Sequence, residues 1–196
     1  MTDTNTSPVV ATVGAPDITG DYVIDVAHSR LGFVARHAMV TKVRGAFNAF
    51  EGTAHLDAND PSKSSASISI DVVSIDTRQA QRDDHLRTND FFDAPTFPKI
   101  TFVSTAVSKV DDDAFRMTGD LTIKDVTKSV SVDFVYDGSA TDPYGNQRVG
   151  FEGSTVINRK DYGVNFNAAL ETGGVLVSEK ITLEFEISAI KNQPAA

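Results

Sequence analysis

Strict two-residue alternation near the C-terminus constrains this chain more than any other feature. Ile181, Leu183, Phe185 and Ile187 alternate with Thr182, Glu184, Glu186 and Ser188. A helix would scatter these residues around its axis, whereas a β-strand puts every second side chain on the same face. The pattern recurs in Ser65 to Ile75, where Ala66, Ile68, Ile70 and Val72 oppose Ser67, Ser69, Asp71 and Val73. It recurs again in Leu31, Phe33 and Ala35, and in Val43, Gly45 and Phe47 within a long segment from Val43 to Leu56. Further strands are expected over Lys99–Lys109, Phe115–Ile123, Ser129–Tyr136, Gln147–Ile157 and Lys180–Ile190. Asp111-Asp112-Asp113 reads as a hairpin tip and Asp142-Pro143-Tyr144-Gly145-Asn146 as a turn.

Apolar-in, polar-out strands that follow one another without intervening helices form an antiparallel sheet. About eight of them close most simply into an all-β barrel, which removes exposed edges. A chain of 196 residues suffices for one such domain, expected over 20–192. Residues 1–19, rich in Thr, Ser, Pro and Gly, read as a flexible tail. Periodicity leaves two interiors open, one filled by side chains and one holding a ligand. The inward mixture of Phe with Ala35, Gly45, Ala46, Ala49 and Ala66, without any Trp, tips the balance slightly toward a cavity.

Charge and composition narrow the function. A net charge of −9 argues against nucleic acid and against loose electrostatic attachment to anionic headgroups. Cysteine is absent, which removes disulfides, thiolate catalysis and Cys-based metal sites. No apolar run is long enough for a transmembrane helix, so no stable membrane insertion is expected. His28, His37, His55 and His85 lack metal-ligand spacing, and no metal or cofactor is expected. The segment Met1–Pro8 has no basic n-region, so a cytoplasmic location is expected.

One segment breaks the β pattern. Arg78 to Asp93 contains Arg82-Asp83-Asp84-His85-Leu86-Arg87 and then Phe91-Phe92, and Pro95 and Pro98 follow it. It reads as a short helical insert with Thr77 as N-cap and an Asp83/Arg87 pair at i,i+4. His85 with Asp84 or Asp83 offers an acid/base pair for an enzyme acting on a molecule held in the barrel. Neighbours on a helix diverge by about 100°, however, and no nucleophile motif accompanies them. The stronger reading is a lid, with charged groups tied to a barrel rim and Phe91 and Phe92 as the gate. Arg159 and His37 stand at strand ends, where His37 could reach a pocket mouth and Arg159 could take a diphosphate or carboxylate. For Arg159 a surface ion pair to Asp161 is the plainer alternative.

Several of these segments together resemble the YceI-like family of lipid- and polyisoprenoid-binding proteins. The resemblance is carried by Tyr22-Val23-Ile24-Asp25-Val26-Ala27-His28-Ser29-Arg30-Leu31-Gly32-Phe33 with Arg36-His37, the charged insert, and Phe97-Pro98-Lys99-Ile100-Thr101-Phe102. Gly119-Asp120-Leu121-Thr122-Ile123-Lys124, Val126-Thr127-Lys128, Ile157-Asn158-Arg159-Lys160-Asp161-Tyr162-Gly163 and Val175 to Ile190 continue it in order. Asp125 departs from the glycine expected after Lys124, and no family-type signal peptide is visible. The resemblance implies a lipocalin-like barrel holding an isoprenoid or other long-chain lipid, non-enzymatic, and assembled as a homodimer. Under that reading the ligand wall comprises Phe33, His37, Phe47, Ile70, His85, Phe91, Phe92, Phe102, Phe134, Arg159 and Phe166. A protein-interaction or stress-response module with a filled core is the remaining alternative.

Overall fold

The computed structural model describes residues 17–171 and 173–192. Of the expected tail, residues 1–16 lie outside the described residues. Asp17–Thr19 are tied to the barrel. The Asp17 carbonyl accepts from Lys191 Nζ at 3.1 Å and Gln147 Nε2 at 3.2 Å, and the Ile18 carbonyl accepts from the Tyr22 hydroxyl at 2.8 Å.

The chain forms β1 (Gly20–Ile24), β2 (Arg30–His37), β3 (Thr41–Phe47), β4 (Phe50–Leu56), β5 (Ser65–Asp71) and β6 (Ile75–Asp76). The one α-helix among the described residues, α1 (Ala80–Arg87), precedes β7 (Lys99–Lys109), β8 (Ala114–Ile123), β9 (Val126–Thr141), β10 (Gln147–Asn158) and β11 (Lys180–Lys191). All pairings are antiparallel, and the ring β1-β4-β5-β7-β8-β9-β10-β11 closes through β1 on β11. This is the expected eight-stranded barrel. The three extra strands are continuations. β2 prolongs β1 along β11, β3 prolongs β4, and β6 prolongs β5 beyond short breaks at 26–28, 48–49 and 72–74. The expected long strand from Val43 to Leu56 is therefore two strands, bent at Asn48-Ala49. At the first break, Ser29 Oγ bonds both the N–H and the carbonyl of Ser188, replacing lost ladder bonds.

The wall separates at two places. β5 pairs with β7 from Ser67↔Val103 to Asp71↔Lys99, but β6 does not reach β7. The gap is filled by the insert between them. β9 and β10 pair only as far as Asp133↔Ser154. Beyond that point they diverge around a cleft of about 310 Å³, with Lys128, Val130, Thr155 and Tyr162 among its lining residues.

Burial follows the alternation. Near the N-terminal end of β1, Tyr22, Val149 and Ala189 form one buried cluster with Ile18, Leu56, Tyr136 and Phe151 against it. Ile24, Leu31 and Phe50 occupy the middle. The largest cluster joins barrel residues Ile100, Leu121, Ile123 and Ile157 to Phe91 and Ala94 of the insert and to Tyr162 and Val164.

Candidate ligand-binding interior

The inner wall is largely apolar and only half-buried. Phe33, Phe47, Ile68, Ile70, Phe102, Met117, Phe134, Leu183, Phe185 and Ile187 lie on inward-facing registers of a closed barrel, yet all are half-buried. In a packed core such residues would lose nearly all accessible surface. Here the inward side chains keep part of their accessible surface instead.

The placement of the rings follows from glycines on the neighbouring strands. A Cβ at Gly45 or Gly119 would collide with the ring of Phe33 or Phe102, respectively, and one at Gly153 would come within 2.6 Å of Phe134. Each ring thus lies down over a glycine on the neighbouring strand. A laid-down ring covers backbone that no side chain protects and does not jut across the barrel. Gly45 carries a signal in sequence, as a glycine on an inward register between Val43 and Phe47. The rings' direction carries none, because side-chain torsions are set by packing.

The expected ligand-wall residues fall into three groups. Phe33, Phe47 and Phe92 form a chain, with ring centroids 5.8 and 6.0 Å apart. Phe91 and Phe166 meet at 5.0 Å, and the His85 ring stands edge-on to both at 5.2 and 5.0 Å. Phe134 meets Phe185 at 5.8 Å lower in the barrel. Ile70 touches both the upper and middle clusters, and Phe102 packs on the upper one. His37 stands apart, exposed at the end of β2, where its backbone bridges to Val177.

Arg159 corrects both expectations made for it. It is 5% exposed, and it is neither a mouth-facing cation nor a surface partner of Asp161. Its Nε donates to Ser178 O at 2.9 Å, Nη1 to Val164 O at 2.5 Å and Nη2 to Val177 O at 3.4 Å. Burial lowers its pKa from the ordinary value, opposed by the Glu179 carboxylate. The reason for this placement is local. The irregular segments that follow Arg159 bring the carbonyls of Val164, Val177 and Ser178 inward, and a planar five-donor fork reaches all three at once. Beside it, burial and the nearby Asp161 push the Tyr162 hydroxyl up to about 12.

The insert is clamped to the barrel by its charges, through contacts that differ from those expected. Gln79, not Thr77, caps α1, through its side-chain oxygen and Arg82 N–H. Thr77 instead donates its N–H and hydroxyl to Asp83, which is buried and so unavailable to Arg87. Arg87 pairs with Asp84 at 2.8 Å and also donates to the carbonyls of Val73 and Ile75 at 2.9 Å each. Arg82 donates to Thr77 Oγ1 and Thr77 O. The two arginines thereby fasten the helix to β6 and its flanks. Asp84 and His85 do not meet, since His85 Nε2 lies 2.7 Å from Asp90. Among the described residues no group of His, Asp and Glu could hold a metal ion.

Comparison with known proteins agrees with this architecture. A YceI-like domain matches residues 22–189. The chain belongs to the YceI-like family. A UPF0312 protein of Staphylococcus aureus (strain MSSA476) is 41% identical over 170 residues, covering 86% of this chain and 95% of the relative. Among solved structures, BcnA of Burkholderia cenocepacia superposes with a TM-score of 0.75 at 27% identity, covering 84% of this chain and 98% of that one. A polyisoprenoid-binding domain from Saccharophagus degradans shares the fold, with a TM-score of 0.66 at 15% identity, covering 87% and 98%.

Proposed function

We propose that the barrel binds a long-chain amphiphilic lipid, a polyisoprenoid in particular, along its axis and serves as its carrier, store or scavenger. The observation that supports this reading is the half-buried, largely apolar inner wall, with its Phe rings laid over glycines. Phe33, Phe47, Ile70, Phe102 and Phe134 would line the chain, and Phe91, Phe92, Phe166 and His85 would close over it beneath the lid. A shared fold with a polyisoprenoid-binding domain is consistent with it. Arg159 is already engaged with carbonyls and His37 lies outside, so the proposal assigns neither to a headgroup.

Energetics favour a long chain. Burying about twelve methylenes gains roughly 10 kcal/mol at about 0.8 each. Association costs about 4–15 kcal/mol before affinity appears. A short fatty chain would be marginal, whereas an isoprenoid of several units would bind without a dedicated polar clamp. Organic extraction of the purified protein followed by mass spectrometry tests the reading. A stoichiometric isoprenoid-type lipid in the extract is expected, and a lipid-free protein that takes up no added polyprenol would refute it.

A further inference from the structure

The acidity of this chain is unevenly distributed. Between Asp25 and Glu51 the sequence has no Asp or Glu, and it carries Arg30, Arg36, Lys42 and Arg44. These lie on the β2–β3 hairpin. Arg30 pairs with Glu184 at 3.3 Å. Arg36 stands directly opposite Lys42 in the ladder, with Arg44 one step further along the same outer face. None of these three side chains has an ion-pair or hydrogen-bond partner among the described residues. Like charges directly opposite on a sheet destabilise it, so the arrangement calls for a compensating role.

The tip adds an independent anomaly. The turn is closed by Val40 N–H to His37 O at 3.0 Å, and its central residues Ala38 and Met39 both have positive φ, 48° and 57°. That is the type I′ pattern, which favours Asn-Gly. Neither Ala nor Met has a local reason to adopt it. At the hairpin between β8 and β9 the same conformation is taken by Lys124 and Asp125. There Asp is a residue that tolerates it. The Ala-Met turn projects Met39, 53% exposed, and Val40, 77% exposed, into solvent. The adjoining loop adds Val175 at 37% exposure and contributes Glu171 and Glu179 as its acidic residues, the latter tied to Lys160. An apolar point ringed by unpaired cations fits one surface, an interface with apolar depth and anionic headgroups.

We infer that the β2–β3 hairpin docks the barrel transiently on anionic lipid bilayers, with Met39 and Val40 entering the interface and Arg36, Lys42 and Arg44 facing the headgroups. The net charge does not prevent this, because charges beyond about 8 Å are largely screened at physiological salt. The inward face of the same hairpin carries Phe33 and Phe47, which lead to Phe92 beneath the lid. Docking would therefore bring the bilayer beside the end of the barrel where a chain enters or leaves. That purpose rests on the lipid-binding reading, whereas the docking itself stands on the hairpin alone.

Sedimentation of the full chain with vesicles of phosphatidylcholine, with and without phosphatidylglycerol, tests the inference. Binding is expected only where phosphatidylglycerol is present, and it should fall as salt rises. Arg36→Gln, Lys42→Gln and Arg44→Gln should each weaken it about five-fold. Ala38→Asn with Met39→Gly should reduce binding to background while raising the thermal midpoint, because Asn-Gly suits the turn. Lipid extracted from that variant should be unchanged, so loss of docking and loss of cargo are read separately. Absence of vesicle binding, or equal binding by the wild-type chain and the Asn-Gly variant, would overturn the inference. So would a dimer, seen by light scattering, that dissociates in the variant, since the tip would then meet a second copy of the chain.

Discussion

Gly45 shows how a single missing atom shapes the interior. Its absent Cβ leaves the place that the Phe33 ring occupies, with the Thr77 methyl close by. Gly45→Ala should force the ring off the wall and toward the axis, costing about 1–3 kcal/mol through overpacking. Denaturant unfolding measures that loss. The more telling readout is affinity for a polyprenyl chain, expected to drop roughly tenfold because the displaced ring takes up ligand space. A variant that loses stability and binds as well as the wild type would mean that Phe33 does not face the ligand. Arg159 carries the opposite lesson at this scale. A basic residue after a strand suggests a headgroup partner, yet the neighbouring backbone needs its donors more.

Among elements, the trio at the other end of the barrel from the lid makes a pH-dependent prediction. Arg148 on β10 donates to Asp25, at the end of β1, at 2.5 Å, and to Asp142, in the β9–β10 turn, at 2.9 Å. Arg148 holds the Asp25 carboxyl below the usual carboxylate range, with His28 assisting. Asp142 is held well below it, first by Asn146 and then by Arg148. Depressed folded-state values contribute stability that is fully present above the unfolded value of about 3.9 and lost as pH falls through the depressed ones. Arg148→Gln should therefore lower the urea midpoint at pH 7, and the gap to wild type should narrow progressively below pH 4. A gap independent of pH would assign the effect to packing. Elements were also where the sequence was most and least legible. The alternation of β11, the Asp111–Asp113 tip and the Asp142–Asn146 turn are set by local chemistry and appear where expected, whereas the strand expected over Ser65 to Ile75 stops at Asp71 and resumes only at Ile75. The breaks that divide three barrel strands are set by closure of the ring, a non-local demand that leaves only weak local marks. In the insert, a short helix fastened by Arg was readable from charge density. Which atoms met was not, because burial of Asp83 transferred its pairing from Arg87 to Thr77.

At the scale of the whole molecule, eight strands close into a ring that separates at the β6–β7 gap and the β9–β10 cleft, one end is plugged around Tyr22, and the other lies under the insert. The membership in the YceI-like family and the resemblance in fold to a polyisoprenoid-binding domain concern this architecture. The proposed function concerns what the architecture leaves unfilled. If the axis is a slot for a chain, affinity should depend on chain length and hardly on the headgroup, because each added buried methylene contributes about 0.8 kcal/mol until the slot is full. Native mass spectrometry of delipidated protein, titrated with polyprenols of increasing length, measures this directly. The account predicts one bound chain per barrel, with affinity rising by about an order of magnitude for every two added buried methylenes and then reaching a plateau. Absence of a complex at any length, or affinity that follows the headgroup and ignores the tail, would contradict it.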